Sequence, residues 1–227
     1  MFKGRKILGI IPARGGSKGI PHKNIVDLCG KPLISYTIEA GLKSNYIDYL
    51  MVSTDDNEIA SLSKELGAQI PFLRPKELAS DKAKTLDAIL HATNNLYDMG
   101  MVFDDLVLLQ PTQPLRTAED IDRAIEKYFE NGCKDLASVS EVDDNPILIR
   151  FIKNDELIPI LNMSSTCRRQ DMPKYYRVNG CIYINNIRNL NENTSFNDNI
   201  IPYIMKKEHS IDIDDYFDLE VAGLYLK

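Results

Sequence analysis

Short uninterrupted apolar runs alternate along this chain with stretches of helical periodicity, which restricts it to a sheet layered between helices. Lys6–Pro12 (KILGIIP) is one such run and ends in a glycine-rich loop. Pro32–Lys43 carries Leu33, Ile34, Tyr36, Thr37, Ile38 and Ala40 behind an initial proline, the pattern of a helix. Tyr49–Thr54 predicts a second strand, and Asp56–Leu66 a second helix stopped by Gly67. Thr85–Met99 predicts a helix before Gly100, and Asp105–Leu109 a third core strand. Thr117 followed by Asp120 is a capping arrangement for a helix over Ala118–Asn131, with Gly132 as its stop. Strands follow over Leu136–Val142, Val178–Ile184 and Ile201–Met205, and Asp215–Tyr225 closes as a helix. The alternation breaks between Asp143 and Pro173: a turn over Asp143–Pro146, a short strand over Leu148–Ile152, then a polar stretch. That break reads as an insertion into a single domain, an arm over about residues 143–177 that contacts a second subunit.

A chain of 227 residues can bury a sizeable core as one domain without staples. Its apolar fraction of 44% and charged fraction of 26% exclude a disordered chain. The net charge of −6 disfavours a general nucleic-acid binder. No apolar run approaches the roughly 20 residues of a membrane span, and Ile7–Ile11 is too short for a signal-peptide core. A cytoplasmic location is expected. Cys29, Cys133, Cys167 and Cys181 form no CxxC pair, and His22, His91 and His209 have no ligand spacing, so neither a zinc site nor a disulfide framework is predicted.

The charge is unevenly placed. Lys3, Arg5, Lys6, Arg14, Lys18 and Lys23 precede the first carboxylate, Asp27, so the first 26 residues carry +6 and the remainder −12. Lys3, Arg5 and Lys6 read as a solvated terminus. Arg14, Lys18 and Lys23 lie in the glycine loop itself (ARGGSKGIPHKN, 13–24), where backbone N–H groups and three cations can hold a polyphosphate. The spacing fits neither a Walker loop nor the dinucleotide pattern GxGxxG. Its place after a buried strand puts the loop at the carboxyl edge of the sheet, where ligands bind in open α/β folds.

In Ile211–Asp215 (IDIDD), an extended backbone puts Asp212 and Asp214 on one face and Ile211 and Ile213 on the other. Two adjacent carboxylates suit a hard cation such as Mg²⁺. Asp214 or Asp215 could equally serve as the N-cap of the last helix. Leu108–Arg116 (LLQPTQPLR) offers Gln110, Thr112 and Arg116 on a rigid loop, or simply a turn leading into the following helix. Arg168 and Arg169 could grip a carboxylate bidentately, or form ordinary surface salt bridges.

Together these segments resemble the N-acylneuraminate cytidylyltransferases, or CMP-sialic acid synthetases. The resemblance is carried by IIPARGGSKGIPHKNI (10–25), KPLISYTIEA (31–40), VSTDD (52–56), RPKELASD (74–81), LLQPTQPLR (108–116), RRQDMP (168–173), NGCIYI (179–184) and IDIDDYFDLE (211–220), in order along nearly the whole chain. It implies a Rossmann-like three-layer α/β nucleotidyltransferase fold, a mostly parallel central sheet and a small inserted dimerisation arm. It implies also a homodimer that converts CTP and a nine-carbon 2-keto sugar acid into a CMP-sugar and pyrophosphate, with Mg²⁺ as cofactor. Sialic, legionaminic and pseudaminic acids are the sugar candidates.

By the same resemblance Arg14, Lys18 and Lys23 hold the triphosphate, with Arg14 and Lys23 catalytic and Lys23 stabilising the leaving pyrophosphate. Ser17 and Asn24 add hydrogen bonds to phosphate and ribose, and Arg74 looks like the cytosine-side arginine. Asp212 and Asp214 look like the metal ligands. Gln110 and Arg116 shape the sugar site, and Arg168 or Arg169 meets the sugar carboxylate. The related Kdo cytidylyltransferases carry an aspartate roughly where Thr112 lies. Gln113 stands where the family often has Ser, and His22 where it often has Arg. No general base stands out; His91 reads as packed within a helix and His209 precedes the acidic pair. Two other readings remain: transfer of another nucleotide to another sugar, and a non-catalytic CTP-binding regulator.

Overall fold

A computed structural model of the chain describes residues 1–163, 166, 168, 170 and 172–226. The strands are β1 (Ile7–Pro12), β2 (Asp27–Leu28), β3 (Lys31–Pro32), β4 (Tyr49–Ser53), β5 (Asp105–Leu109), β6 (Leu136–Glu141), β7 (Arg150–Lys153), β8 (Glu156–Pro159), β9 (Tyr176–Asn186) and β10 (Ile201–Ile204). The helices are α1 (Leu33–Lys43), α2 (Asn57–Glu65), α3 (Thr85–Asp98), α4 (Ala118–Glu130) and α5 (Tyr216–Tyr225). Among the described residues no helix is long and apolar enough to cross a membrane.

Six strands form the central sheet in the order β10-β6-β9-β5-β1-β4. β1 lies parallel to both β4 and β5, and β10 parallel to β6. β9 runs antiparallel between β5 and β6, so one strand of six opposes the rest. The expected α/β fold with a mostly parallel sheet is therefore present.

Alternation along the strands divides the core into two faces. Ile7 and Ile11 of β1, with Val107 and Leu109 of β5, pack against Ile34, Ile38, Ile59, Ile121 and Ile125 of α1, α2 and α4. Leu8 and Ile10, with Leu106 and Leu108, pack on the other face against Ile89, Ala92 and Leu96 of α3. Continuous apolar runs such as Leu106–Leu109 are what a strand covered on both faces requires.

Local chemistry sets the helix ends. Asp56 caps α2 by accepting from the N–H groups of Glu58 and Ile59. Thr117 Oγ1 accepts from Asp120 N at 3.1 Å, and the Asp120 carboxylate accepts from Thr117 N at 3.0 Å, as the spacing predicts. α1 begins at Leu33, one residue after its expected start, with Pro32 at the N-cap.

Two small hairpins escaped the sequence reading. Cys29 and Gly30, at φ +54° and +84°, turn β2 into β3. Asn154 and Asp155, at φ +52° and +65°, turn β7 into β8. Both are two-residue loops with two left-handed residues, the geometry that matches strand twist. The second hairpin falls within residues 143–177; it is separate from the central sheet and exposes Phe151, Ile152 and Leu157.

Arg5 departs from the solvated terminus expected for it. Its guanidinium donates to both carboxylate oxygens of Asp105, with Nε at 2.6 Å from Oδ2. Asp105 is fully buried and also accepts from the Tyr128 hydroxyl at 2.8 Å. Arg5 is thus the counter-charge that lets a carboxylate stand inside the core, and this pairing raises its pKa.

Candidate active site

The carboxyl ends of β1 and β5 and the segment before α5 meet around a cavity of about 430 Å³. Arg14, Ser17, Lys18, Lys23 and Asn24 line it from the glycine loop, Arg74 and Asp81 from the loop before α3, Gln110 and Thr112 from the end of β5, and Asp214 from the IDIDD segment. Four stretches far apart in sequence are brought together at the sheet edge where the strand–loop arrangement predicts a ligand.

The glycine loop is pinned on both sides. Ala13 N continues the β1–β4 pairing by donating to Ser53 O at 2.9 Å, and Gly15 N donates to Asp55 Oδ1 at 3.0 Å. The Asn24 amide donates to Arg14 O at 2.8 Å, so its nitrogen shapes the loop from within. Lys23 reaches the opposite wall: Nζ lies 2.8 Å from Ile213 O and 3.2 Å from Asp214 Oδ1. It ties the loop to a segment 190 residues away.

Gly19 makes the closest approach to that wall. A Cβ on it would stand 2.2 Å from the Asp214 carbonyl oxygen, a backbone atom. Gly19→Ala must therefore push apart the two segments that Lys23 joins. The expected result is about a 10²-fold loss of kcat/KM, checked by steady-state kinetics alongside thermal unfolding.

Asp212 and Asp214 flank Ile213, whose side chain is fully buried, so the two carboxylates share the outward face as predicted. Asp215, not Asp214, caps α5, accepting from the N–H groups of Phe217 and Asp218. That settles which carboxylate the helix uses and leaves the 212–214 pair available.

Desolvation raises the Asp212 carboxyl pKa, opposed first by a hydrogen bond from the Thr112 side chain. The charge of Asp214 raises it further, while Lys23 and Arg177 lower it. Two carboxylates one residue apart suit a hard divalent cation. No group of three or more acidic, histidine or cysteine ligands stands together among the described residues, so such a cation would complete its shell from water and phosphate.

Arg74 is buried, yet its Nε and Nη2 have no hydrogen-bond partner among the described residues. Desolvation lowers its pKa, an effect opposed by Asp55 and reinforced by Arg14. A buried guanidinium with unused donors at a cavity wall is complementary to a ligand carrying acceptors.

A second cavity of about 530 Å³ shares Lys84, Thr85 and Gln110 with the first. Its remaining wall includes Tyr183 from β9 and the 192–197 turn, with Glu192, Asn193, Thr194, Ser195, Phe196 and Asn197. Sequence reasoning missed this turn, whose polar residues carry no motif and gather only because β9 returns beside β5.

Arg116 lies outside both cavities. It is buried, and its guanidinium donates to Cys181 O at 2.8 Å, Thr37 Oγ1 at 2.7 Å and Gln110 O at 3.2 Å. It holds the loop that presents Gln110. Arg168 is exposed on the segment following the β7–β8 hairpin, and Arg169 lies outside the described residues.

Neither histidine candidate stands at the wall of the first cavity. His91 is packed edge-on to Phe72, and His209 Nδ1 lies 2.8 Å from Asp120 Oδ2 beside the start of α4.

The sequence matches the cytidylyltransferase family over residues 8–218. It is 35% identical over 225 residues to a pseudaminic acid cytidylyltransferase of Campylobacter jejuni, covering 98% of this chain and 97% of that one. It is 36% identical to a CMP-N,N'-diacetyllegionaminic acid synthase of Legionella pneumophila, covering 94% and 93%. An N-acylneuraminate cytidylyltransferase of Escherichia coli is 35% identical over 96% of this chain, which spans 51% of that longer protein. The fold is similar to that of a CMP:2-keto-3-deoxy-manno-octonic acid synthetase solved with CTP, at a TM-score of 0.75 and 17% identity, covering 97% of this chain and 98% of that one. By the family match and these relatives, the chain belongs to the cytidylyltransferase family.

Proposed function

We propose that this chain transfers the cytidylyl group of CTP to the anomeric hydroxyl of a nine-carbon 2-keto sugar acid, releasing pyrophosphate. Sialic, legionaminic and pseudaminic acids are the candidate acceptors. The observation that carries the reading is the cavity that gathers Arg14, Lys18, Lys23 and Arg74 beside Asp214, in a chain about 35% identical over its length to enzymes named for such sugars.

In this reading Arg14 and Lys18 hold the outer phosphates, with Ser17 at the loop's cavity face. Lys23, fixed by Ile213 O and Asp214, faces the charge that develops as pyrophosphate leaves. Asn24 holds the loop's shape through Arg14 O. Arg74 offers its unused donors to the base carbonyl. Asp212 and Asp214 would hold Mg²⁺, which supplies charge neutralisation along the phosphates.

The sugar acid occupies the second cavity, whose hydroxyl, amide and aromatic groups suit a polyhydroxylated, acylated ring. Gln110 stands at the junction of the two cavities and orients the acceptor. Arg116 contributes through its grip on the Gln110 loop. Arg168 or Arg169 meets the sugar carboxylate in a homodimer whose interface covers the exposed Phe151, Ile152 and Leu157.

The test is pyrophosphate release with CTP and Mg²⁺, run in parallel on sialic, legionaminic, pseudaminic and Kdo acids. Preference for one nine-carbon acid is the expected result. Turnover on Kdo alone, or with another nucleoside triphosphate in place of CTP, sinks the reading. Binding of CTP with no turnover on any acid would favour a regulator instead.

A further inference from the structure

Each cation of the glycine loop already faces a carboxylate supplied from elsewhere in the chain. Lys23 has Asp214, as described. Arg14 Nη1 and Lys18 Nζ lie 3.0 and 3.2 Å from the two oxygens of Asp81. The fit is specific, because one carboxylate spans both cations, and Arg14 Nη1 donates as well to the neighbouring Ser80 O at 3.2 Å. Lys18, and then Arg14, hold the Asp81 carboxyl below the ordinary range of its pKa.

Asp81 belongs to a stretch with no apolar anchor. None of the residues between Arg74 and Leu86 is fully buried. The far end of this loop is tied to the glycine loop by the Asp81 pairs and the Ser80 carbonyl, all exposed polar contacts. Such contacts exchange readily with another anion.

Phosphate oxygens placed on Arg14 and Lys18 would meet the Asp81 carboxylate at the same nitrogens, and like charges at that distance cannot both stay. We infer that Asp81 is the resident counter-anion of the triphosphate cradle: a triphosphate or pyrophosphate enters by exchanging with it on Arg14 and Lys18, and Asp81 re-forms both pairs as pyrophosphate leaves. The inference rests on the proposed placement of the phosphates at these two cations. Asp81 thereby weakens the hold on pyrophosphate and speeds its release.

The experiment is calorimetric titration of sodium pyrophosphate, in buffer containing EDTA, into wild type, Asp81→Asn and Lys18→Ala. Asp81→Asn keeps the side-chain size and is expected to bind pyrophosphate about three- to tenfold more tightly. Pyrophosphate should become a stronger product inhibitor by the same factor. The gain should shrink as salt rises, because these pairs are exposed to solvent.

Equal or weaker binding by Asp81→Asn overturns the inference. A loss of cytidine affinity in that variant without tighter pyrophosphate binding points to loop ordering alone, and also overturns it. Lys18→Ala binding pyrophosphate as tightly as wild type overturns the phosphate placement itself, a result that does not involve Asp81.

Discussion

Replacing Lys23 by alanine is expected to lower kcat by about 10²- to 10³-fold while CTP affinity changes by less than about tenfold. The asymmetry follows from what surrounds this side chain. Arg14 and Lys18 remain to hold a triphosphate, so ground-state binding persists without Lys23. Lys23 differs in being mostly buried, with 15% of its side chain exposed against 75% for Lys18. It is also fixed in place by the carbonyl of Ile213. A positioned ammonium in a recess acts most strongly on charge that appears only as the bond to pyrophosphate breaks.

Lys23 also joins the glycine loop to the acidic segment, so a purely structural effect has to be separated. Lys23→Met keeps most of the buried stem and should show the same loss of kcat with little change in melting temperature. The measurements are steady-state kinetics on the preferred sugar acid and direct titration of CTP. A variant with wild-type kcat would remove Lys23 from the chemistry.

Much of this arrangement is written locally in the sequence. The uninterrupted apolar run Ile7–Ile11 specifies a strand covered on both faces, and the helical spacing of Leu33 to Ala40 specifies a helix and its buried side. The order of elements then places the glycine loop at the sheet edge with no further information. Asp212 and Asp214 were legible because Ile213 between them must face inward.

What the sequence left hidden depends on contacts between distant segments. Nothing in Tyr176–Asn186 signals that it runs antiparallel between β5 and β6, so the second cavity it helps line could not be foreseen. Arg5 looked like a terminal charge because Asp105, 100 residues on, becomes its partner only once the sheet forms. Arg116 sits in a loop motif that suggested a ligand contact, yet its two terminal nitrogens donate to the carbonyls of Gln110 and Cys181 and to Thr37. The turns at Cys29-Gly30 and Asn154-Asp155 were readable in principle, since Gly, Asn and Asp tolerate the left-handed region.

Asp212→Asn and Asp214→Asn are each expected to raise the Mg²⁺ concentration for half-maximal activity by about tenfold or more, since an amide is a neutral and poorer ligand for a hard cation. The double variant should be inactive at any practical concentration. A second readout separates ligation from a role in folding. Without metal, the two carboxylates repel, and the charge of Asp214 works against ionisation of Asp212. Removing the Asp212 charge should therefore leave the melting temperature of the metal-free protein unchanged or higher, whereas Asp214→Asn also gives up the pair with Lys23. Mg²⁺ with CTP should raise the melting temperature of the wild type by linkage and raise that of either variant less. The two sites should also differ. Asp214 is the partner of Lys23, so Asp214→Asn frees that ammonium and should bind CTP more tightly in the absence of metal, whereas Asp212→Asn should not. Unchanged Mg²⁺ dependence in both single variants would remove the pair as the metal site and leave Asp214 as an anchor for Lys23 alone.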